Sequence, residues 1–523
     1  MDSSKIKAIL LAIVAAFAAV YLGVTAATAQ TEAIFWVVSA LFLIFLLALG
    51  KHVWVLIPIG TAFNGGINFI PGAPALWMVA VPLTAAIFLL RISLRRGSEF
   101  TWRWSLMDLC VTVHTILLAQ SYIRNPVGFA SIGLSSEMIG GRAYFVHGFC
   151  IVGYVLLSMV RTNLDVVKKV VLCMIFASLL DGFAILMGAF VPAIASVGLK
   201  FYSGFSFDSS MATTGADANS RVVEGKFIGE DLAKAAFSLY RPIATFNPLN
   251  FLPFCMITLG ISAVLISGFR SVMGLMAIYF VVGSLLRRKL SDVVIGLVLG
   301  VLAICLLMFI GTEHLPRGAQ RVLSALPIPG LVSDEMKASG EDSTEWRVEM
   351  WVLALTTDRY IHNKMFGDGF GSRRDEMEAS LDAAFGDKRR MVGFDAQDMM
   401  MRRGSYHGFH VQTIRMVGYV GLFLTLVILG VFYRNALKHI QYFKNRKEWG
   451  YILYLGLPFL IYPFYAMLIF GDFNYAYPKY ILMAGVLKML WTIRAEESAA
   501  AAMVATTSKG PSKGSRLAVH PEP

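Results

Sequence analysis

Asp292-Val-Val-Ile-Gly-Leu-Val-Leu-Gly-Val-Leu-Ala-Ile-Cys-Leu-Leu-Met-Phe-Ile310 follows the basic turn Arg287-Arg288-Lys289 and carries no charge beyond its first residue. It is apolar around its whole circumference. In lipid, backbone polar groups must pair within the segment, so a run of this length reads as a helix crossing the bilayer. Comparable runs recur at 8–28, 33–50, 52–69, 74–92, 105–122, 144–161, 168–190, 245–266, 271–286, 408–432, 450–470 and 475–494. They predict an all-α polytopic membrane protein with about 12–13 transmembrane helices. A β-barrel would show strict alternation of apolar and polar residues, and these runs do not. Within 52–69, Gly60, Asn64, Gly65, Gly66 and Asn68 predict a re-entrant or broken helix, which a membrane tolerates only where protein shields it.

Composition agrees. Of 523 residues, 57% are hydrophobic and 15% charged, too few charges to solvate a surface outside the long polar segments. The net charge of +12 does not indicate nucleic-acid binding, because the basic residues sit in short clusters beside apolar runs, where cytoplasmic loop ends carry them. All five cysteines (Cys110, Cys150, Cys173, Cys255, Cys305) fall in apolar segments, so neither a disulfide framework nor a thiolate zinc site is signalled. Ala27-Thr28-Ala29 resembles a signal-peptidase site, but the preceding apolar stretch is longer than a signal peptide's and another follows at once. An uncleaved first helix is expected.

Arg91/Arg95/Arg96, Arg161 with Lys168/Lys169, Arg287/Arg288/Lys289 and the Arg434 to Lys447 group mark cytoplasmic turns. This divides the chain into N-terminal membrane helices (1–310), an extracytoplasmic loop (311–407), C-terminal membrane helices (408–494) and a disordered cytoplasmic tail (495–523). One count fails. Three runs (168–190, 245–266, 271–286) separate two turns that should share a side, and an odd number of crossings cannot join them. A hairpin within 169–199, broken at Asp181-Gly182, repairs the count and leaves Ser267-Gly268-Phe269-Arg270 on the loop side. With a single crossing at 168–190 instead, Arg270 falls on the cytoplasmic side.

The polar 311–406 segment and its return to the membrane hold the residues able to do chemistry. In Glu345-Trp346-Arg347-Val348-Glu349-Met350-Trp351 the apolar residues recur at helical spacing, as in a helix lying on the membrane surface. Arg347 there either pairs with Glu345 and Glu349 or meets an anion. Phe366-Gly367-Asp368-Gly369-Phe370-Gly371 permits a tight path close to a ligand or another backbone, and it lacks the βαβ setting of a dinucleotide fingerprint. His407 and His410 share a helix face. With His362 or Asp398 they suggest a metal only weakly, whereas a neutral imidazole at the water–lipid boundary suits a general base, or simply bonds loop backbone. Arg270 at the join of two apolar runs either snorkels to the interface or captures phosphate with its planar fork of donors. Arg241 is a further cation whose side depends on the unresolved count.

In chain order these features are Arg241-Pro242 with Thr245-Phe246-Asn247-Pro248, the Ser-Gly-Phe-Arg270 turn, a loop with Trp346-Arg347, the alternating glycines, and His407 followed by Gly418 and Gly421. The series resembles the O-antigen ligase and O-antigen polymerase superfamily over about 241–421. Phe269 stands where that pattern has serine, and Gly408 where it has asparagine. The resemblance implies a GT-C-like fold and a metal-independent, inverting glycosyltransferase without cofactor. Its donor would be an undecaprenyl-pyrophosphate-linked glycan, and its acceptor a glycan, lipid A-core or another hydroxyl, in surface polysaccharide or lipopolysaccharide synthesis. On this pattern His407 is catalytic, Arg270 and Arg347 hold the pyrophosphate, and His410 contributes to substrate binding. Ligation, polymerisation and transfer to protein share the donor chemistry. A transporter or flippase of lipid-linked glycan is the alternative of a different class, with Asp108, Asp181 and the 60–68 stretch in its favour.

Overall fold

The computed structural model describes residues 49–70, 72–94, 100–127, 140–205, 225–326, 328–371, 401 and 404–508. The expected span 8–28, nearly all of 33–50, Arg95, Arg96, Asp398 and the tail beyond Ser508 lie outside them. Among the described residues all regular structure is helical. Six of the helices are long and apolar enough to cross a membrane. These are α2 (Leu76–Ser93), α3 (Leu106–Arg124), α4 (Gly141–Met159), α10 (Leu290–Ile310), α13 (Phe409–Tyr442) and α14 (Trp449–Leu468). α5 (Leu164–Phe190), α7 (Gly225–Leu239), α8 (Phe251–Ser267), α9 (Arg270–Leu286) and α15 (Ala476–Ser508) pack among them. α15 continues as helix past Arg494, where the composition predicts a disordered tail.

The 52–69 run is broken as its glycines predict: α1 (Leu56–Thr61) is short, and the chain beyond it forms bridges from Gly66 to Ala75 and from Ile67 to Tyr202. Tyr202 and Asn64 both bond the carboxylate of Asp181. That partnering explains an acidic residue in the middle of α5, which runs unbroken through Asp181-Gly182 rather than turning there. A short α6 (Pro192–Gly198) follows it.

α7 traverses the bundle once more, running antiparallel to α8 with Gly225 against Ser267. Its Lys226, Glu230, Asp231 and Lys234 hide it from a hydropathy reading. Two devices accommodate those charges. Gly225 and Gly229 let the backbones of α7 and α8 approach so closely that a Cβ at either would stand 2.6 Å and 2.8 Å from the carbonyls of Ala263 and Gly260, the small-residue packing that membranes favour. The charges also pair internally: Lys234 bonds Asp231, which accepts from Ser178 at 2.8 Å, and Glu230 accepts from Tyr279 at 3.4 Å. With α7 counted, four helices of alternating direction join the two basic turns.

Ser267-Gly268-Phe269-Arg270 therefore lies at the same end of the bundle as His407, because α9 runs from that turn down to Arg287 while α10 runs back up to Gly311. The opposite end gathers Arg161 with Glu496, Arg446 with Glu497, and Arg241 with Asp292. Arg241 is thus a partner of a buried carboxylate far from the other candidates. α10 has no buried residue in its most apolar window, which has a mean hydropathy of 3.2, so it lies at the edge of the bundle with Gly296 against Phe280 of α9.

Candidate active site

Two glycines build the first part of the site. Gly268 adopts the left-handed conformation (φ 69°) that ends α8, and it abuts Gly318 of α11 (Arg317–Leu323). A Cβ on Gly318 would stand 2.7 Å from the Ile266 carbonyl, so α11 crosses the end of α8 at backbone distance. The crossing brings the Arg321 side chain beside the Gly268-Phe269-Arg270 turn. Arg321 is buried, and burial together with the charge of Arg270 holds its guanidinium below the ordinary arginine value.

Arg347 lies on α12 (Asp334–Thr356), a helix with no span-length apolar run. Burial lowers its pKa first and the charge of Arg270 lowers it further, with Tyr465 of α14 acting in the opposite sense. Neither Glu345 nor Glu349 forms an ion pair with it; among the described residues no carboxylate lies within ion-pair distance of Arg321 or Arg347. The Arg347 Nε is buried without a hydrogen-bond acceptor. Three guanidinium groups drawn from the start of α9, from α11 and from α12 thus share one half-buried locality.

His407 completes it. Its backbone sits at φ 48°, a left-handed conformation that costs a residue bearing a Cβ roughly 1–2 kcal/mol. Three contacts hold the segment there. Trp351 donates from Nε1 to the carbonyl of Tyr406 at 2.7 Å, and the Trp346 and Phe470 rings flank the imidazole at 6.0 and 5.9 Å. Burial pushes the His407 pKa below its ordinary value and the Arg347 charge adds to the shift, so the ring is neutral at neutral pH. His410 packs edge-on against Trp351 at 4.8 Å, with its buried Nδ1 unbonded. Gly408 has a direct reason: a Cβ there would stand 2.7 Å from Trp351 Nε1, so a larger residue would displace the indole that fixes Tyr406.

The alternating glycines prove to serve a backbone. Gly418 interrupts α13 with φ 77° and ψ −178°, which frees amides and carbonyls of the surrounding turns. The 364–369 segment satisfies them. Tyr419 and Val420 donate to the carbonyls of Lys364 and Met365 at 2.8 and 3.2 Å, while the amides of Asp368 and Gly369 donate to Arg415 and Met416 at 2.6 and 3.1 Å. Gly367 is needed because a Cβ would meet the Met416 carbonyl carbon at 2.5 Å. The Asp368 carboxylate accepts the amides of His362 and Asn363 at 2.8 and 2.9 Å. The glycine segment therefore splints the break in α13 and steadies the first turns of the helix that His407 precedes.

The structure brings Arg270, Arg347 and His407 into one locality, and His410 lies on the same stretch of backbone. Arg321 was not singled out from the sequence. Its signal is faint, a glycine three residues ahead of an arginine in a short loop helix, and it has meaning only once Gly318 is seen against Gly268. Tyr465 and Phe470 were equally unmarked, since aromatic residues near a helix end read as interfacial. Among the described residues no group of three or more His, Cys, Asp or Glu side chains is disposed to hold a metal ion. No protein-family model matches the chain, and no curated protein matches it.

Proposed function

We propose that the protein is a membrane glycosyltransferase of the O-antigen ligase type, with a GT-C-like architecture, that moves a glycan from an undecaprenyl-pyrophosphate carrier to a hydroxyl acceptor at the periplasmic face of a bacterial inner membrane. One observation carries the proposal: three arginines and a neutral histidine converge at one end of the bundle, and Arg321 and Arg347 have no acidic partner among the described residues. Like charges in a half-buried place repel, and an anionic ligand is what offsets that cost. A pyrophosphate fits the number and planarity of the donors.

On this reading the acceptor hydroxyl gives its proton to the neutral His407 imidazole as its oxygen attacks the anomeric carbon from the face opposite the leaving group. The bond to the pyrophosphate oxygen breaks, and Arg270, Arg321 and Arg347 stabilise the negative charge that develops on the departing carrier. The strained His407 backbone, gripped by Trp351 and Trp346, supplies preorganisation. His410 contributes through Trp351 to the shape of the acceptor side. The ordered motifs from Arg270 to Gly421 support a transferase of the ligase and polymerase superfamily, and polymerisation of the glycan is the nearest alternative because it uses the same donor.

A second reading has its own observation. Glu230, Asp231 and Lys234 form an ionisable group on a helix within the bundle, and intramembrane charges commonly mark transport paths. The group is internally paired and sits apart from the arginine cluster, which favours a structural role. One experiment separates the readings: purified protein in vesicles is given labelled polyprenyl-pyrophosphate glycan and acceptor without an ion gradient. Glycosylated acceptor is the expected outcome. Movement of the donor across the bilayer without any product would replace the transferase reading with the transporter one.

A further inference from the structure

At the end of the bundle opposite His407, a cavity of about 380 Å³ opens between the start of α3, the second half of α13 and α15. Val427, Gly430, Arg434 and Lys438 line it from one face of α13, since their spacings of three and four residues stack them along a single stripe. Arg434 and Lys438 are exposed, and neither forms an ion pair with a carboxylate among the described residues. Below them the walls turn apolar: Val427 is 47% exposed and Leu106 is 53% exposed. Gly430 leaves the floor unfilled, because a Cβ there would meet nothing within 4 Å. Trp491 closes one side, and the exposed Trp102 and Trp104 precede Leu106 at the level where indoles mark a membrane interface.

We propose that this groove binds one anionic glycerophospholipid, with its phosphate between Arg434 and Lys438 and an acyl chain lying along Val427 and Gly430. The chemistry is divided along the groove as it is along such a lipid. Two unpaired cations at headgroup level select a net negative headgroup over a zwitterionic one. The lower half offers methyl groups and an open helix surface, which suits a hydrocarbon chain and offers nothing to free phosphate. The site is independent of the transferase assignment, because no residue in it belongs to the arginine and histidine cluster.

The test uses the full chain in nanodiscs containing both phosphatidylcholine and phosphatidylglycerol, followed by detergent release and native mass spectrometry. Wild-type protein is expected to retain a single phosphatidylglycerol. The Arg434→Gln/Lys438→Gln variant should retain it about thirtyfold more weakly, each basic residue near a membrane surface contributing about a factor of five. Gly430→Leu, which fills the floor while leaving both charges in place, should lose the lipid as well. Size-exclusion and thermal unfolding profiles check that both variants fold, and the charge variant decides alone if Gly430→Leu does not. Equal retention of the two lipids, or retention unaffected by the charge variant, overturns the proposal. So does displacement of the lipid by inorganic phosphate at matched concentration, which would mean that the site reads phosphate alone.

Discussion

Gly268 and Gly318 meet backbone to backbone, a Cβ on the first lying 3.5 Å from the Cα of the second. That contact sets Arg321 beside Arg270. Placing a side chain on Gly318 drives it into the carbonyls of Leu265 and Ile266, and overpacking of this kind costs about 1–3 kcal/mol. Gly318→Val is therefore expected to move α11 off the end of α8 and to weaken capture of the lipid-linked donor more than tenfold. Donor affinity measured in detergent, alongside the thermal unfolding midpoint, separates displacement of Arg321 from general instability. Unchanged affinity would disprove the positioning role.

Arg321 also offers a direct test of the arginine cluster. Removing one preorganised contact to a developing anion costs about 3–4 kcal/mol, or about 10² to 10³ in rate. Arg321→Ala and Arg347→Ala should each lose glycan transfer to this extent with membrane abundance normal, and His407→Ala should abolish it. Lysine at 321 keeps the charge but not the planar fork, so partial recovery is expected. Full activity in any one of the alanine variants removes that residue from the mechanism.

The pH dependence follows from His407. Its folded pKa is lowered below 6.5, chiefly by burial and then by Arg347. A group lowered in this way stays neutral through pH 6.5 and gains its proton only further into acid, so a general base here fails on the acid side. The acid limb of kcat/KM is expected below pH 6.5. Replacing Arg347 with glutamine removes the second cause and should raise the His407 pKa toward its ordinary value. Since that variant is itself expected to lose most transfer activity, the shift is read from the pH dependence of diethylpyrocarbonate modification, with tandem mass spectrometry distinguishing His407 from His410. A shift in the opposite direction would contradict the proximity of the two groups.

The fold was legible wherever charge and apolarity segregate along the chain. α10 could be drawn from its residues alone, and the broken 52–69 run declared itself through its glycines and asparagines. α7 was illegible because a helix buried among other helices can keep Glu230, Asp231 and Lys234 by pairing them, and no window of hydropathy registers a pairing. The site divides the same way. His407, Arg270 and Arg347 stand beside local signals, a helix start, an apolar join and a pair of tryptophans. Arg321 depends on two glycines fifty residues apart touching in space, which sequence spacing does not disclose. The alternating glycines of 367–371 were visible as a close approach, but that their partner is the Gly418 break of α13 is a matter of tertiary structure.

Gly408 yields the sharpest prediction about how His407 is held. The position faces Trp351, whose indole bonds the Tyr406 carbonyl at 2.7 Å. A Cβ at 408 would stand 2.7 Å from that indole nitrogen, so Gly408→Asn must expel Trp351 or shift the backbone. Either movement releases the left-handed His407, whose conformation persists only while its surroundings hold it. Introducing asparagine is accordingly predicted to lower kcat by at least about tenfold while leaving donor affinity near wild type, since a positioning error in the base affects chemistry more than binding. Trp351→Phe, which keeps the ring and loses the bond, should reproduce part of the defect. An asparagine variant with wild-type kcat would show that Trp351 does not govern His407, and the histidine would then owe its position to Trp346 and Phe470.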